Sequence, residues 1–296
     1  MAAPHLATRL RAILPRTITP PPRVPALGDA NAVRDELRRF RAMHPRMCVL
    51  TGAGISTASG IPDYRGNDGA WKRNAPITHA QFMGDPAFRA RYWQRSFAGW
   101  HTVANARPNG AHHALARWAG DGTLSGLITQ NVDGLHARAG HADAIDLHGR
   151  IDRVICTRCG QTSARDALQP RLAAAHPHWQ RSATPAPDGD AEVDDIDASR
   201  YVEPCCESCG GMLKPDVVFF GGSVPPARIA AATACIDAAD ALLVAGSSLM
   251  VFSGYRLVRR AVEGGKPVAL LTRGLTRADD LATHRWAVDC GALAHA

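Results

Sequence analysis

The stretch from Cys48 to Gly66, CVLTGAGISTASGIPDYRG, joins a short apolar run to a glycine-rich turn and an Asp-Tyr-Arg triplet. An apolar run followed by Gly-x-Gly is typical of the strand and turn that hold a dinucleotide. Gly52 and Gly54 would let backbone amides approach a pyrophosphate, beside the N-terminus of a following helix. The third glycine of the usual fingerprint is absent, and no acidic residue closes a second strand about 20 positions later. The turn therefore indicates a dinucleotide but argues against a hydride-transferring dehydrogenase.

Segments of strand and helix character alternate on both sides of this turn. Apolar residues have helical spacing in ANAVRDELRRFRAM, NGAHHALARWAG and SGYRLVRRAVEGG. Short apolar runs, typical of buried strands, occur in LSGLITQN, DVVFFGG, ALLVAGSSL and KPVALLT. We expect KPVALLT to be the last strand. This alternation predicts an α/β fold with a Rossmann-like, doubly wound parallel sheet. We assign residues 30–150 and 215–296 to it, and residues 151–214 to a small inserted zinc-binding module.

The bulk composition excludes several classes of protein. The chain has 296 residues, 46% hydrophobic and 21% charged, with a net charge of +7 spread along its length. We expect a basic surface without a direct nucleic-acid partner, and no apolar run approaches the ~20 residues of a membrane helix. The first 29 residues predict a flexible extension. They favour either a bacterial N-terminus or an organelle transit peptide, although prolines 20–22 would break a helix there. The expected location is cytoplasmic, and the expected state is a monomer or weak oligomer.

Two Cys-x-x-Cys pairs, Cys156 with Cys159 and Cys206 with Cys209, are typical of four thiolates around one structural Zn²⁺. Four protein ligands leave no open position, so we expect no catalytic role for the metal. A redox dithiol is the alternative, but one pair would suffice for it. Cys205 could replace its neighbour Cys206 as a ligand, although Cys205 and Cys209 would then have a Cys-x-x-x-Cys spacing. The segment between the pairs is acidic from Asp188 to Asp197, which argues against a nucleic-acid-binding zinc ribbon.

Polar residues follow several of the predicted strands, and the carboxyl ends of parallel strands meet at a ligand-binding crevice. His148 ends one strand, where it could be a catalytic base or a capping residue. Asn131 and Asp133 follow another, where they could bind a ligand or form a turn.

Taken together, GAGIS, SGIPDYRG, TQNVDGLH, LHG, the cysteine pairs, KPDVVFFG and GSSL resemble the sirtuins, which are NAD-dependent protein deacylases. The resemblance covers residue 30 to the C-terminus in the right order. Three stretches, RYWQRSFAGW, APDGD and LKPDVVFFG, are most similar to the class II branch that includes a mitochondrial lipoamidase and ADP-ribosyltransferase. The resemblance implies that NAD is cleaved at its glycosidic bond, that nicotinamide leaves, and that the acyl group of a lysine passes to ADP-ribose.

The resemblance also implies roles for individual residues. His148 would be the general base on the ribose hydroxyls, which suits an imidazole at neutral pH. Asn131, Asp133 and Arg65 would complete the catalytic set. Thr272 stands where the family usually carries Asn, so we expect an altered contact with NAD. The full implied cofactor-binding set is Gly52, Ala53, Gly54, Ser56, Thr57, Asp63, Tyr64, Arg65, Gln130, Asn131, Asp133, Gly246, Ser247, Ser248, Thr272, Arg273 and Cys290.

The implied substrate is an acylated lysine in an extended peptide segment. The family's peptide-pairing strand, which binds by β-augmentation, corresponds here to Val217, Val218, Phe219, Phe220 and Gly221. Tyr92 and Arg95 have the Tyr-x-x-Arg spacing with which the desuccinylase branch contacts an acyl carboxylate, or they belong to an ordinary amphipathic helix. Mono-ADP-ribosyl transfer to protein remains the alternative function, because both reactions begin with loss of nicotinamide.

Overall fold

The computed structural model describes residues 25–64, 66, 76–179 and 200–296. Most of the predicted N-terminal extension, Arg65 and the acidic segment from 188 to 197 lie outside the described residues. No helix within the described ranges combines the length and apolar character that a membrane crossing requires.

Within the described residues, six parallel strands form the main sheet in the order β3-β2-β1-β7-β8-β9. Every residue of β1, β7 and β8 is buried, as expected for parallel strands covered on both faces. The bounds are β1 Met47–Thr51, β2 Leu124–Thr129, β3 Ile145–Asp146, β7 Ala241–Ala245, β8 Val268–Leu271 and β9 His284–Trp286.

Helices cover both faces of this sheet, which confirms the predicted doubly wound architecture. Successive residues of β1 point to opposite faces, so Val49 packs with α1 and α4 whereas Leu50 packs with α7 and α8. The bounds of the described helices are α1 Ala30–Met43, α2 His79–Gly84, α3 Pro86–Asn105, α4 Gly110–Gly120, α5 Leu135–Arg138, α6 Arg165–Ala175, α7 Pro226–Ala238 and α8 Phe252–Glu263.

A second, antiparallel sheet has the order β5-β4-β6, with β4 at Gly149–Cys156, β5 at Thr162–Ala164 and β6 at Leu213–Val217. This sheet extends two residues before and three residues after the segment 151–214. Its core includes Trp93 of α3 and Leu168 of α6. The aromatic helix α3 therefore packs on the small sheet.

Two strand predictions are wrong. The run DVVFFGG does not continue as a strand, because β6 ends at Val217 and the Gly222 N–H turns back to the Phe219 carbonyl at 2.9 Å. KPVALLT is not the last strand, because β9 follows it at the sheet edge. A three-residue strand centred on Arg285 is too short to show an alternating pattern.

Candidate active site

A cavity of about 520 Å³ opens at the carboxyl ends of β1, β2 and β7. Its walls bring together residues from sequence segments that are far apart, because the carboxyl ends of parallel strands meet at the same edge of the sheet. The predicted site residues that line it are Gly52, Ala53, Gly54, Ser56, Asp63, Tyr64, Gln130, Asn131, Asp133, His148, Val218, Phe219, Phe220, Gly221, Gly246, Ser247, Ser248 and Thr272.

The loop after β1 differs from the predicted helix start. Two 3₁₀ turns, Ala53–Ile55 and Thr57–Ser59, follow the strand instead of an α-helix. The amides of Gly52 and Gly54 donate to the carbonyls of Ala245 and Gly246, at 3.1 and 2.8 Å. An α-helix therefore does not follow the glycines directly, and the amides of Gly52 and Gly54 bond to the end of β7 and the loop after it. The glycines are needed because a Cβ at residue 54 would lie 2.9 Å from the Gly246 backbone.

A hydrogen-bonded cluster joins the loops after β1 and β2. Asn131 Nδ2 donates to the Gly52 carbonyl and to Ser56 Oγ, both at 3.1 Å. Ser56 Oγ donates in turn to Asp133 at 2.7 Å, and the Leu135 N–H donates to the other oxygen of that carboxylate at 2.8 Å. Burial raises the pKa of Asp133, and these two hydrogen bonds oppose the rise. The cluster thus fixes two predicted catalytic residues relative to the cofactor loop.

His148 has a defined tautomer. Its Nδ1 lies 2.9 Å from the Gln130 carbonyl, which can only accept, so Nδ1 carries the proton. Nε2 is then the acceptor and lies 2.7 Å from the Ser253 hydroxyl. Burial lowers the pKa of His148, the Gln130 bond raises it, and nearby Arg228 lowers it further. The ring is therefore a neutral base at physiological pH, with its basic nitrogen at the cavity wall.

The loop after β7 forms another part of the cavity wall. Gln130 Nε2 donates to Ser247 Oγ at 2.8 Å, and the Leu249 N–H donates to the same oxygen at 3.2 Å. Leu249 has a φ of 57°, in the left-handed region that non-glycine residues rarely adopt. Strained backbone of this kind occurs at ligand sites, where the surrounding structure holds it.

Three predicted cofactor residues do not line the cavity. Thr57 is exposed and donates to the Gly54 carbonyl at 3.1 Å. Arg273 pairs with Asp289 at 2.7 Å on the surface. Cys290 is buried beneath the Gly246 loop, and burial raises the pKa of its thiol to about 12. Arg65 lies outside the described residues.

Among the predicted substrate residues, Tyr92 and Arg95 also lie away from the cavity lining, as does Val217. Tyr92 is buried in the core of the small sheet, and its ring meets that of Phe219 edge-on at 5.3 Å. Phe219 itself lines the cavity. Tyr92 therefore supports the cavity wall from behind, and neither residue of the Tyr-x-x-Arg pair lines the cavity itself.

Sequence reasoning missed several lining residues. Ser253, which contacts His148, stands at the start of α8 in a sequence that shows only helical periodicity. Arg256, one turn later, and the apolar Val224 and Ile229 also line the cavity. No motif marks these positions, because they reach the site through the packing of α7, α8 and the loop before α7.

The four predicted metal ligands meet at the end of the small sheet. The sulfur atoms of Cys156, Cys159, Cys206 and Cys209 all lie within 4.8 Å of one another. Four sulfurs around one Zn²⁺, at Zn–S distances of ~2.3 Å, would be separated by ~3.8 Å. The cluster therefore fits a tetrahedral zinc site. Cys205 is exposed, with its thiol directed to the Glu203 carbonyl, which resolves the ambiguity in favour of Cys206.

Comparison with known proteins agrees with this geometry. The model of the Sir2 family matches residues 52–253. The NAD-dependent protein deacetylase of Bordetella bronchiseptica is 53% identical over 246 residues, which are 83% of this chain and 90% of that protein. NAD-dependent protein deacetylase 2 of Bradyrhizobium diazoefficiens is 50% identical over 258 residues, covering 87% and 94% of the two chains.

Solved structures of the same family share the fold. A Sir2 complex with a p53 peptide and NAD⁺ superposes with a TM-score of 0.71 at 28% identity, covering 88% of this chain and 94% of that one. A complex of a Sir2 homologue with NAD gives a TM-score of 0.67 at 31% identity, covering 88% and 91%. The family match, the bacterial relatives and the shared fold lead to one conclusion: this chain belongs to the sirtuin, or Sir2, family.

Proposed function

We propose that this protein is an NAD-dependent protein-lysine deacylase of the deacetylase type, which transfers the acyl group to ADP-ribose and releases nicotinamide. The observation that carries this function is His148, a neutral base whose Nε2 is an acceptor on the wall of the cavity. Relatives at about half sequence identity carry the name NAD-dependent protein deacetylase.

The residues present fit NAD. The cavity lining offers side-chain amides and hydroxyls on Gln130, Asn131 and Ser247, and aromatic and aliphatic groups on Phe219 and Ile229. When bound, NAD supplies the ribose carbon that accepts the acyl oxygen as nicotinamide leaves. Asn131 and Asp133 would hold the nicotinamide half, and Gln130 and Ser247 the adenosine half.

His148 would take the proton from a ribose hydroxyl. Its basic Nε2 already accepts from Ser253, so the ribose hydroxyl would replace or join that donor. The Gln130 carbonyl keeps the Nδ1 proton in place, so the ring presents the correct nitrogen throughout. General-base catalysis of this kind contributes about 10²- to 10⁴-fold.

The acyl-lysine would enter beside Val218, Phe219, Val224 and Ile229. These side chains are apolar, which favours an uncharged acyl group over a carboxylate.

We further propose assignment to the class II branch, supported by RYWQRSFAGW, APDGD and LKPDVVFFG. We propose that the protein acts in the cytoplasm as a monomer or weak oligomer, on extended segments of other proteins.

The test is an acyl panel. Purified protein with NAD is offered one lysine peptide bearing acetyl, succinyl or lipoyl, and products are followed by mass spectrometry. We expect acyl-ADP-ribose from the acetyl peptide with wild type, and a loss of about 10²-fold or more with His148→Ala. ADP-ribose attached to protein, without acyl-ADP-ribose, would instead establish the transferase. No NAD turnover with any peptide would refute both functions.

A further inference from the structure

Two buried histidines lie beneath the active-site loops and take no part in the mechanism above. His112, on α4, has no exposed surface, and His136, on α5, is 2% exposed. Their ring centroids are 4.7 Å apart. Each ring makes one hydrogen bond on its outer side, and the remaining nitrogens, His112 Nε2 and His136 Nδ1, are buried without a partner among the described residues. Buried polar atoms of this kind require an explanation.

The outer hydrogen bonds determine which nitrogen carries the proton. The Asn109 N–H donates to His112 Nδ1 at 3.4 Å, so the proton of the neutral His112 ring is on Nε2. Thr51 Oγ1 uses its single hydrogen to donate to Thr129 Oγ1, at 2.9 Å. Thr51 Oγ1 must therefore accept from His136 Nε2, which lies 2.9 Å from it, so the proton of the neutral His136 ring is on Nε2. His112 therefore offers a proton toward its neighbour and His136 offers a lone pair. The two unpartnered nitrogens are complementary.

Both ends of this chain of contacts reach the cofactor loop. At one end, Thr129 Oγ1 accepts from the Asn131 N–H at 3.1 Å, and Asn131 holds the loop through Gly52 and Ser56. At the other end, Asn109 Nδ2 donates to the Ile55 carbonyl at 2.8 Å and to Ser59 Oγ at 2.9 Å.

We propose that His112 and His136 pair, His112 Nε2–H to His136 Nδ1, directly or through one buried water, and that His136 is thereby a positioning residue for Asn131 and the cofactor loop. The pair orients the Thr51 hydroxyl, that hydroxyl orients Thr129, and Thr129 holds the Asn131 backbone. This inference rests on the proposed function, because its effect is on the placement of Asn131 toward NAD.

The surroundings keep both rings neutral. Burial lowers the pKa of His112 to about 4, and nearby His113 and Arg138 add to the shift. Burial lowers the pKa of His136 well below its ordinary value, and the charges that His112 and His141 would carry add to it. A neutral pair can use one ring as donor and the other as acceptor, whereas two imidazolium rings would repel.

The first experiment needs no enzymatic activity. Histidine labelled with ¹⁵N reports its tautomer in long-range ¹H–¹⁵N spectra. We expect both rings to be neutral at pH 7 with the proton on Nε2. A proton on His136 Nδ1, or a charged ring, would overturn the pairing. This readout separates a failure of the inference from a failure of the proposed function.

The second experiment measures kcat, the KM for NAD and the KM for an acetylated peptide. His136→Phe fills the space without a donor, and we expect kcat to fall about 10- to 100-fold with the peptide KM unchanged. His136→Gln can return a donor to Thr51 and should recover most of that loss. His113→Gln is the control, because His113 is exposed on the same helix as His112. Near-UV circular dichroism gives the folded fraction by which each kcat is corrected.

His112→Asn separates capping from pairing. An asparagine oxygen can still accept from the Asn109 N–H, but it removes the Nε2–H. We expect a fall in kcat of about tenfold with the helix cap intact. If the folded variants His136→Phe and His112→Asn both retain the kcat of His113→Gln, the histidines only stabilise the fold and the positioning role is refuted. Absence of turnover by the wild type would instead refute the proposed function.

Discussion

Replacing Gly54 with alanine should impair the use of NAD, because this glycine lies where the loops after β1 and β7 touch. A Cβ at residue 54 would lie 2.9 Å from both the Cα and the carbonyl oxygen of Gly246. These are backbone atoms, so no side-chain rotation relieves the overlap. Ordinary van der Waals contact begins at 3.4 Å, so the two loops must separate by about 0.5 Å.

This displacement determines the expected magnitude. It stretches the hydrogen bond from the Gly54 N–H to the Gly246 carbonyl, which is 2.8 Å long and contributes about 0.5–1.5 kcal/mol. Both loops line the cavity, so the groups that would hold NAD move apart with them. A misplacement of about 1 Å can reduce catalysis about 100-fold, so we expect kcat/KM for NAD to fall about tenfold, or about 1.4 kcal/mol.

The assay measures initial rates at varied NAD with a saturating acetylated peptide. Gly120→Ala is the matched control, because this glycine ends α4 and a Cβ there would meet no described atom outside its own helix within 4 Å. Circular dichroism establishes that both variants are folded. If Gly54→Ala has the same kcat/KM for NAD as Gly120→Ala, contact between the two loops does not shape the cofactor site and the reasoning fails.

Three further predictions concern stability and metal binding. Gly126→Ala should lower the free energy of unfolding by about 1–3 kcal/mol, because a Cβ there would overlap the Cys235 sulfur; Cys235→Ala should restore it in urea titrations. In the folded protein the pKa of His112 is lowered to about 4 from its ordinary 6.5, because burial disfavours the charged ring. The free energy of unfolding should therefore be unaffected by this residue above pH 6.5 and should decrease as the pH falls toward 4. The expected decrease is on the order of 3 kcal/mol. If the unfolding free energy of a His112→Phe variant decreases as steeply with falling pH as that of the wild type, this prediction is wrong. Purified protein should contain one zinc per chain by elemental analysis, and Cys206→Ser should abolish it while Cys205→Ser should not, because only Cys206 lies within the cluster.

Much of the site was predictable from the sequence because local patterns carry it. Gly52, Asn131, His148 and Ser247 each stand within two residues of the end of a parallel strand, and the ends of these strands converge at one edge. The metal ligands were also predictable from a local pattern, because two residues between a pair of cysteines allow both sulfurs to bind one tetrahedral ion.

Other features of the site and the fold depend on contacts that lie outside any local pattern. Tyr92 and Arg95 have a suggestive spacing, but α3 packs its aromatic face on the small sheet, so Tyr92 lies behind Phe219. Ser253 has no motif and reaches His148 only because α8 begins at that wall. The β9 strand was missed because three residues carry too little periodicity to be distinguished from a loop.

By itself, the sequence determined most of the alternation of strands and helices around the parallel sheet, the zinc ligands and the family resemblance. These properties follow from periodicity and spacing, which are encoded over a few neighbouring residues. Only the tertiary structure decided which nitrogen of His148 is basic, why Gly54 must be glycine, and which histidines meet beneath the site. Each of these depends on contacts between residues distant in the chain, and such contacts exist only once the sheet has brought its loops together.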